Sequence, residues 1–157
     1  MDRSRLSRFV NQRIRELKLE EPAIVTPITS ARSAVGAMKQ GSRSCVLAVE
    51  DGRLEGIFTE RDVLTKCMDE GFDWEQPLNA GVLTKEPRTI GPDRTIADAI
   101  ALMQQHHYRT LPVVDGGTVI GLLRLGDLLR HLAEEYPEDV LNLPPRPHQV
   151  MARAEGG

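Results

Sequence analysis

The residues best suited to chemistry are Gly56, Thr59 and Asp62, in the stretch Gly56-Ile57-Phe58-Thr59-Glu60-Arg61-Asp62. The pattern returns 65 positions later as Gly121-Leu122-Leu123-Arg124-Leu125-Gly126-Asp127. In each copy a buried strand is expected to run straight into a helix N-terminus, where unpaired N–H groups and the dipole favour anions. A glycine on that strand lets a flat ligand lie close to the backbone. A carboxylate one turn into the helix can accept two hydrogen bonds from a vicinal diol, as on a ribose; Rossmann-type folds use an acid for the same job on different architecture. Thr59-x-x-Asp62 also has the form of a capping box, which needs no ligand. The second copy tilts the balance towards binding, because Arg124 cannot accept the helix N–H bonds and yet Asp127 is retained.

These stretches belong to a longer internal repeat. Glu21–Leu64 matches Glu86–Leu129 without a gap over 44 positions, with 11 identical pairs that include Pro22/Pro87, Ala34/Ala99, Met38/Met103, Gly56/Gly121 and Asp62/Asp127. The period exceeds the roughly 20–50 residues of a solenoid unit. It fits a duplicated αβ unit whose copies face each other across a pseudo-two-fold axis and form two equivalent clefts.

Each copy reads strand, helix, strand, strand, helix. A short apolar step (Ile24-Val25; Thr89-Ile90) leads to Pro27 or Pro92, which disfavours helix just before it. The first helix starts at Ser30 or Thr95, and Thr95 with Asp98 resembles a capping box. Its core stripe is Ala31, Ala34, Val35 and Met38 in one copy and Ile96, Ala99, Ile100 and Met103 in the other. Cys45–Val49 and Leu111–Val114 are expected as buried strands, joined by Asp/Gly turns to Leu54–Phe58 and Val119–Leu123. Second helices are expected over Glu60–Glu70 and Leu125–Glu135.

The resulting boundaries are an amphipathic basic helix over 1–20, repeat 1 over 21–70, a linker over 71–82, repeat 2 over 83–135 and a Pro-rich tail over 136–157. Leu6, Phe9, Val10, Ile14 and Leu17 form the apolar stripe of the first helix, which is expected to dock on its own domain.

Composition narrows the function classes. A chain of 157 residues, 40% hydrophobic and 27% charged, suits one compact domain. A net charge of −3 removes any chain-wide attraction to nucleic acid, although the first twenty residues are locally basic. No apolar run approaches the roughly 18 residues needed to span a bilayer, and no signal-peptide core follows the N-terminus, so a cytoplasmic protein with no membrane partner is expected. Cys45 and Cys67 form no CxxC and read as buried apolar residues. Adjacent His106 and His107 point in different directions on a helix, so no metal site is expected. No Ser-His-Asp order, metal-ligand spacing or Walker glycine loop stands out, so neither catalysis nor a cofactor is expected.

The motifs His106-His107-Tyr108-Arg109-Thr110-Leu111-Pro112-Val113-Val114-Asp115 and Gly56–Asp62, on two strand-helix-strand-strand-helix copies, look like a tandem cystathionine-β-synthase (CBS) domain pair of the stand-alone bacterial type. The resemblance covers roughly residues 21–135. It implies a mixed α/β (α+β) module of two β-α-β-β-α repeats whose two clefts bind adenine nucleotides or adenosyl compounds. It also implies a homodimer through the CBS–CBS helices, and a role in sensing energy or metabolite state and passing it to a separate, regulated protein. Carried over by position, Asp62 and Asp127 would hold ribose hydroxyls, Thr59 the ribose or a phosphate, and Ile57 and Leu122 the adenine faces. Ser44 and Arg109 would reach phosphates, with Arg109 serving the nucleotide held by Asp62, and Thr84 and Lys85 would line a pocket from the linker.

Two departures from the family pattern matter. Leu47 replaces an expected proline, and Arg124 replaces the hydroxyl of the second copy. The arginine either favours a more phosphorylated ligand or leaves that cleft empty, so the Asp62 cleft is expected to be the tighter. The alternative function is a ligand-free interaction scaffold, with binding carried by the N-terminal helix and the tail.

Overall fold

The computed structural model describes residues 2–138. The expected Pro-rich tail lies, from residue 139 on, outside the described residues.

The chain opens with helix α1, Arg3–Val10, whose first turn is capped by the Asp2 carboxylate. The single helix expected over 1–20 stops there, and only a 3₁₀ turn, Ile14–Glu16, follows. The cause is tertiary: Ile14 N–H donates to Arg94 O at 2.9 Å and Arg15 N–H to Pro92 O at 2.8 Å. Those N–H groups are used on the Pro92–Arg94 loop of repeat 2 instead of inside a helix. Phe9 and Ile14 are buried with Met103, Leu123 and Leu128, so the segment does dock on its own domain.

Repeat 1 runs β1 (Ile24–Val25), α2 (Ala31–Gln40), β2 (Cys45–Glu50), β3 (Arg53–Thr59) and α3 (Glu60–Lys66). Ser30 caps α2 by accepting from Ser33 N–H. Helix α3 ends at Lys66, with Cys67 as its C-cap, short of the expected Glu70. There the chain turns into the linker, the Cys67 side chain is buried in the repeat 1 core, and Lys66 Nζ donates to Val82 O at 3.1 Å. The linker carries a 3₁₀ turn, Leu78–Ala80, and is bonded to the start of α2 by Ala31 N–H to Gln76 O at 3.0 Å.

Repeat 2 runs β4 (Thr84–Lys85), α4 (Ile96–His106), β5 (Thr110–Asp115), β6 (Thr118–Arg124) and α5 (Leu125–Glu135). Thr95 and Asp98 form the expected reciprocal capping box. The counterpart of β1 shrinks to one parallel bridge, Ile90 to Val113. The duplication extends to irregularities: both hairpins carry a bulge at matched positions, Ala48/Val49 and Val113/Val114. Their turns use left-handed Gly52 and Gly117, with φ of +75° and +87°.

Strand order is β1-β2-β3-β4 in one sheet and β5-β6 in the other. Side chains alternate along β2: Val46 and Ala48 enter the repeat 1 core, whereas Cys45 and Leu47 face Leu122 across the boundary between repeats. The segment that leads into each copy's first apolar step pairs with the last strand of the other copy. Thr84 of β4 lies beside Ile57 of β3, and Glu20 lies beside Leu122 of β6. This exchange builds the two clefts.

Candidate ligand-binding cleft

The first cleft grows from the end of β3. Gly56 is there because β4 passes against it: a Cβ would sit 2.5 Å from Leu83 Cγ and 2.7 Å from the Thr84 carbonyl oxygen. One step on, Thr59 caps α3, and Asp62 faces back over it. Asp62 Oδ2 accepts from Thr59 N–H at 2.9 Å and from Thr59 Oγ1 at 3.1 Å, and Thr59 Oγ1 accepts from Asp62 N–H at 3.1 Å. Asp62 Oδ1 accepts from Thr84 Oγ1 at 3.2 Å and from Lys66 Nζ at 3.0 Å. The capping reading of Thr59-x-x-Asp62 therefore holds, and the acid also lines a recess.

That recess has a volume of about 580 Å³, within the roughly 300–1,000 Å³ of small-molecule sites. Of the ten residues singled out from sequence, Ser44, Ile57, Thr59, Asp62, Thr84 and Arg109 line it together. Arg109 comes from the opposite repeat, as expected. Lys85 pairs with Gly56 through its backbone, and its exposed side chain is not among the lining residues.

Sequence reasoning passed over Arg61, Arg88, His107 and Tyr108, which also line the cleft, with Pro112 as an apolar wall. Arg61 lies inside the quoted motif and His107-Tyr108 immediately before Arg109, so the signal was adjacency to residues already chosen. The guanidinium groups of Arg61, Arg88 and Arg109 make no ion pair among the described residues; Glu60 is the second acid in the lining. Cys45 sits at the base of this cleft, its thiol pushed up to about 11 by burial and then by the Glu20 carboxylate. At neutral pH it is protonated and a poor nucleophile.

The remaining three residues, Leu122, Arg124 and Asp127, come together at the matching place in repeat 2. Gly121 again makes room for a passing segment: a Cβ would lie 2.6 Å from Leu19 Cβ. There Glu20 stands where Thr84 stands in the first cleft, and Arg124 replaces Thr59. Arg124 Nε lies 2.8 Å from Glu20 Oε2 and 3.3 Å from Asp127 Oδ2, while its Nη2 donates to Asp127 Oδ1 at 3.3 Å. Arg124 N–H also donates to Asp127 Oδ2 at 3.3 Å, and Arg130 Nη1 adds a contact to Oδ1 at 3.4 Å. The bond to Asp127 and the nearby carboxylates hold the Arg124 guanidinium above its ordinary value. Asp127 thus keeps half of a capping box and gains a guanidinium, so its retention without a hydroxyl partner has a structural reason.

A further recess of about 580 Å³ lies between the hairpin turns, lined by Asp51–Leu54 and Gly116–Thr118 with Glu86 and Pro87. Among the described residues, no cluster of three or more His, Cys, Asp or Glu side chains is placed to hold a metal. No helix there is long and apolar enough to cross a membrane.

Two interlocked αβ repeats, with an arginine-lined cleft between them, define a duplicated αβ module. The CBS domain model matches residues 14–69 and 80–134, and the chain belongs to the CBS domain family. It is 32% identical over 115 residues to the CBS domain-containing protein YhcV of Bacillus subtilis, covering 73% of this chain and 81% of YhcV. It is 33% identical over 122 residues to the meiotically up-regulated gene 70 protein of Schizosaccharomyces pombe, but spans only 17% of that protein's length. Among solved structures it is similar to the CBS domain protein PAE2072 from Pyrobaculum aerophilum, complexed with AMP. That match has a TM-score of 0.68 and 20% identity, and covers 78% of this chain and 99% of the other.

Proposed function

We propose that this chain is a regulatory module that binds an adenine nucleotide in the Asp62 cleft and relays its occupancy to a partner protein. The observation that carries the reading is the set of arginines, Arg61, Arg88 and Arg109, without an ion pair among the described residues, in one recess with a buried carboxylate. Apolar Ile57 and Pro112 supply faces for a base, Asp62 an acceptor for a ribose diol, and the guanidiniums a bed for phosphates. A diol reaches Asp62 by displacing the hydroxyls of Thr59 and Thr84, which are neutral and free to rotate. The AMP bound by PAE2072 supports the ligand class. The charge of the cleft favours ADP or ATP over S-adenosylmethionine, whose sulfonium the arginines repel.

The hydroxyls bonded to Asp62 serve as a helix cap and a tie to the linker strand, and the module is proposed to bind without turnover. Pairing with a second copy occurs through α3 and α5. Leu64 on α3 and Leu129 on α5 are matched by the repeat and 69% and 60% exposed, a larger apolar display than an isolated surface residue. Nucleotide bound to the folded state raises its stability. Thermal melts with AMP, ADP, ATP and S-adenosylmethionine test the reading. An upward shift with the nucleotides is expected, and unchanged melting at millimolar concentrations of all four favours the ligand-free scaffold.

A further inference from the structure

The second cleft has the same backbone frame as the first but a different ionic content. Both have the glycine on the last strand, the passing two-residue segment and the acid one turn into the helix. In the first, the acid's partners from the strand end and the passing segment are the Thr59 and Thr84 hydroxyls. In the second, those places hold Arg124 and Glu20, 2.8 Å apart, with Arg124 also on both oxygens of Asp127. Arg43, at the position matching Tyr108 of the first cleft, reaches within 3.9 Å of Glu20.

We infer that Arg124 and Glu20 act as an internal ligand of the second cleft, so that each chain binds one nucleotide. Two features carry this. A hydroxyl bonded to a carboxylate is exchangeable for a ribose hydroxyl at little net cost, because one neutral donor replaces another. A guanidinium held between two carboxylates is not: its displacement by a neutral diol would leave half-buried charges without partners. The passing segment is fixed as well. Glu20 N–H donates to Leu122 O at 3.1 Å and Leu122 N–H to Glu20 O at 2.9 Å, with Leu19 packed where a Gly121 side chain would stand. Glu20 and Arg124 thus set the number of ligands taken, and the N-terminal segment supplies half of the lock.

The inference rests on the nucleotide reading of the first cleft, and the experiment separates the two. Isothermal titration of the full chain with ATP, ADP and AMP in turn is expected to give one site per chain. The double variant Glu20→Thr with Arg124→Thr, which restores the hydroxyl pair of the first cleft, is expected to give two. Two sites in the wild-type chain overturn the lock and leave the nucleotide reading standing; so does one site in a double variant whose circular dichroism shows it folded. No binding of any nucleotide to the wild-type chain removes the nucleotide reading. The lock itself is then decided without ligand, by a stability cycle of Glu20→Gln, Arg124→Gln and their combination. Strong non-additivity supports it, and simple addition of the two effects overturns it.

Discussion

The two clefts share one backbone frame, and their linings differ at most matched positions, Asp62/Asp127 and Pro87/Pro22 being kept. Backbone geometry has been held so closely that bulges, turn glycines and the strand glycine recur at the same spacing. Charge has not. Where the first cleft surrounds its acid with Thr59, Thr84 and Lys66, the second uses Arg124 and Glu20. The first also collects three arginines that make no ion pair among the described residues. Duplication preserved the container, and the proposal is that the side chains lining it decide which copy takes a ligand.

The largest expected effect that would break this contrast is on Asp62. Asp62→Ala is expected to weaken nucleotide binding about tenfold or more, the order of one or two charge-assisted hydrogen bonds. Asp127→Ala should leave the measured affinity close to that of the wild type. Equal losses from the two in calorimetry would make the clefts equivalent. Next is Arg109→Ala, expected to weaken ATP by roughly tenfold while changing S-adenosylmethionine much less; a uniform loss for both would deny the arginine a phosphate.

Smaller effects concern stability. Gly56→Ala places a Cβ 2.7 Å from a backbone carbonyl oxygen, whereas at Gly121 the near atoms belong to the Leu19 side chain. Gly56→Ala is therefore expected to cost about 1–3 kcal/mol and to lower the melting temperature more than Gly121→Ala does. The reverse order would mean that the N-terminal segment is the more tightly fixed.

The smallest effect compares the first helices of the two repeats. Asp98 caps α4, and its carboxyl is held below the ordinary 3.8 mainly by the Thr95 backbone bond; the matching residue in α2 is Ser33. A carboxyl lowered on folding stabilises above its unfolded value and loses that contribution as pH falls through its folded one. The melting-temperature gap between wild type and Asp98→Asn is thus expected to be largest above about pH 4 and to shrink with acidification. A gap constant down to pH 2 would show that the charge contributes nothing.

Much of this was legible in the sequence because repetition doubled each local signal. Ala31, Ala34 and Met38 and Ile96, Ala99 and Met103 are buried as their spacing required, with Val35 and Ile100 partly buried, and six singled-out residues line the first cleft, with Lys85 left outside it. The misses have a common cause. The end of α1 at Val10 is imposed by bonds to Pro92 and Arg94, some 80 positions away, a distance over which periodicity carries no information. Glu20 escaped notice for the same reason. It lies just outside the matched stretch, and only the exchange of strands between repeats puts it beside Arg124. Asp127 has a structural partner without a capping hydroxyl, because the Arg124 N–H and guanidinium both donate to its carboxylate.

The most direct test of the account is a crystal structure of the chain grown with ADP. It should show one nucleotide per chain, with the ribose on Asp62, phosphates among Arg61, Arg88 and Arg109, and Arg124 still bridging Glu20 and Asp127. Nucleotide seated at Asp127 or between the hairpin turns, with the Asp62 recess unchanged, would contradict it.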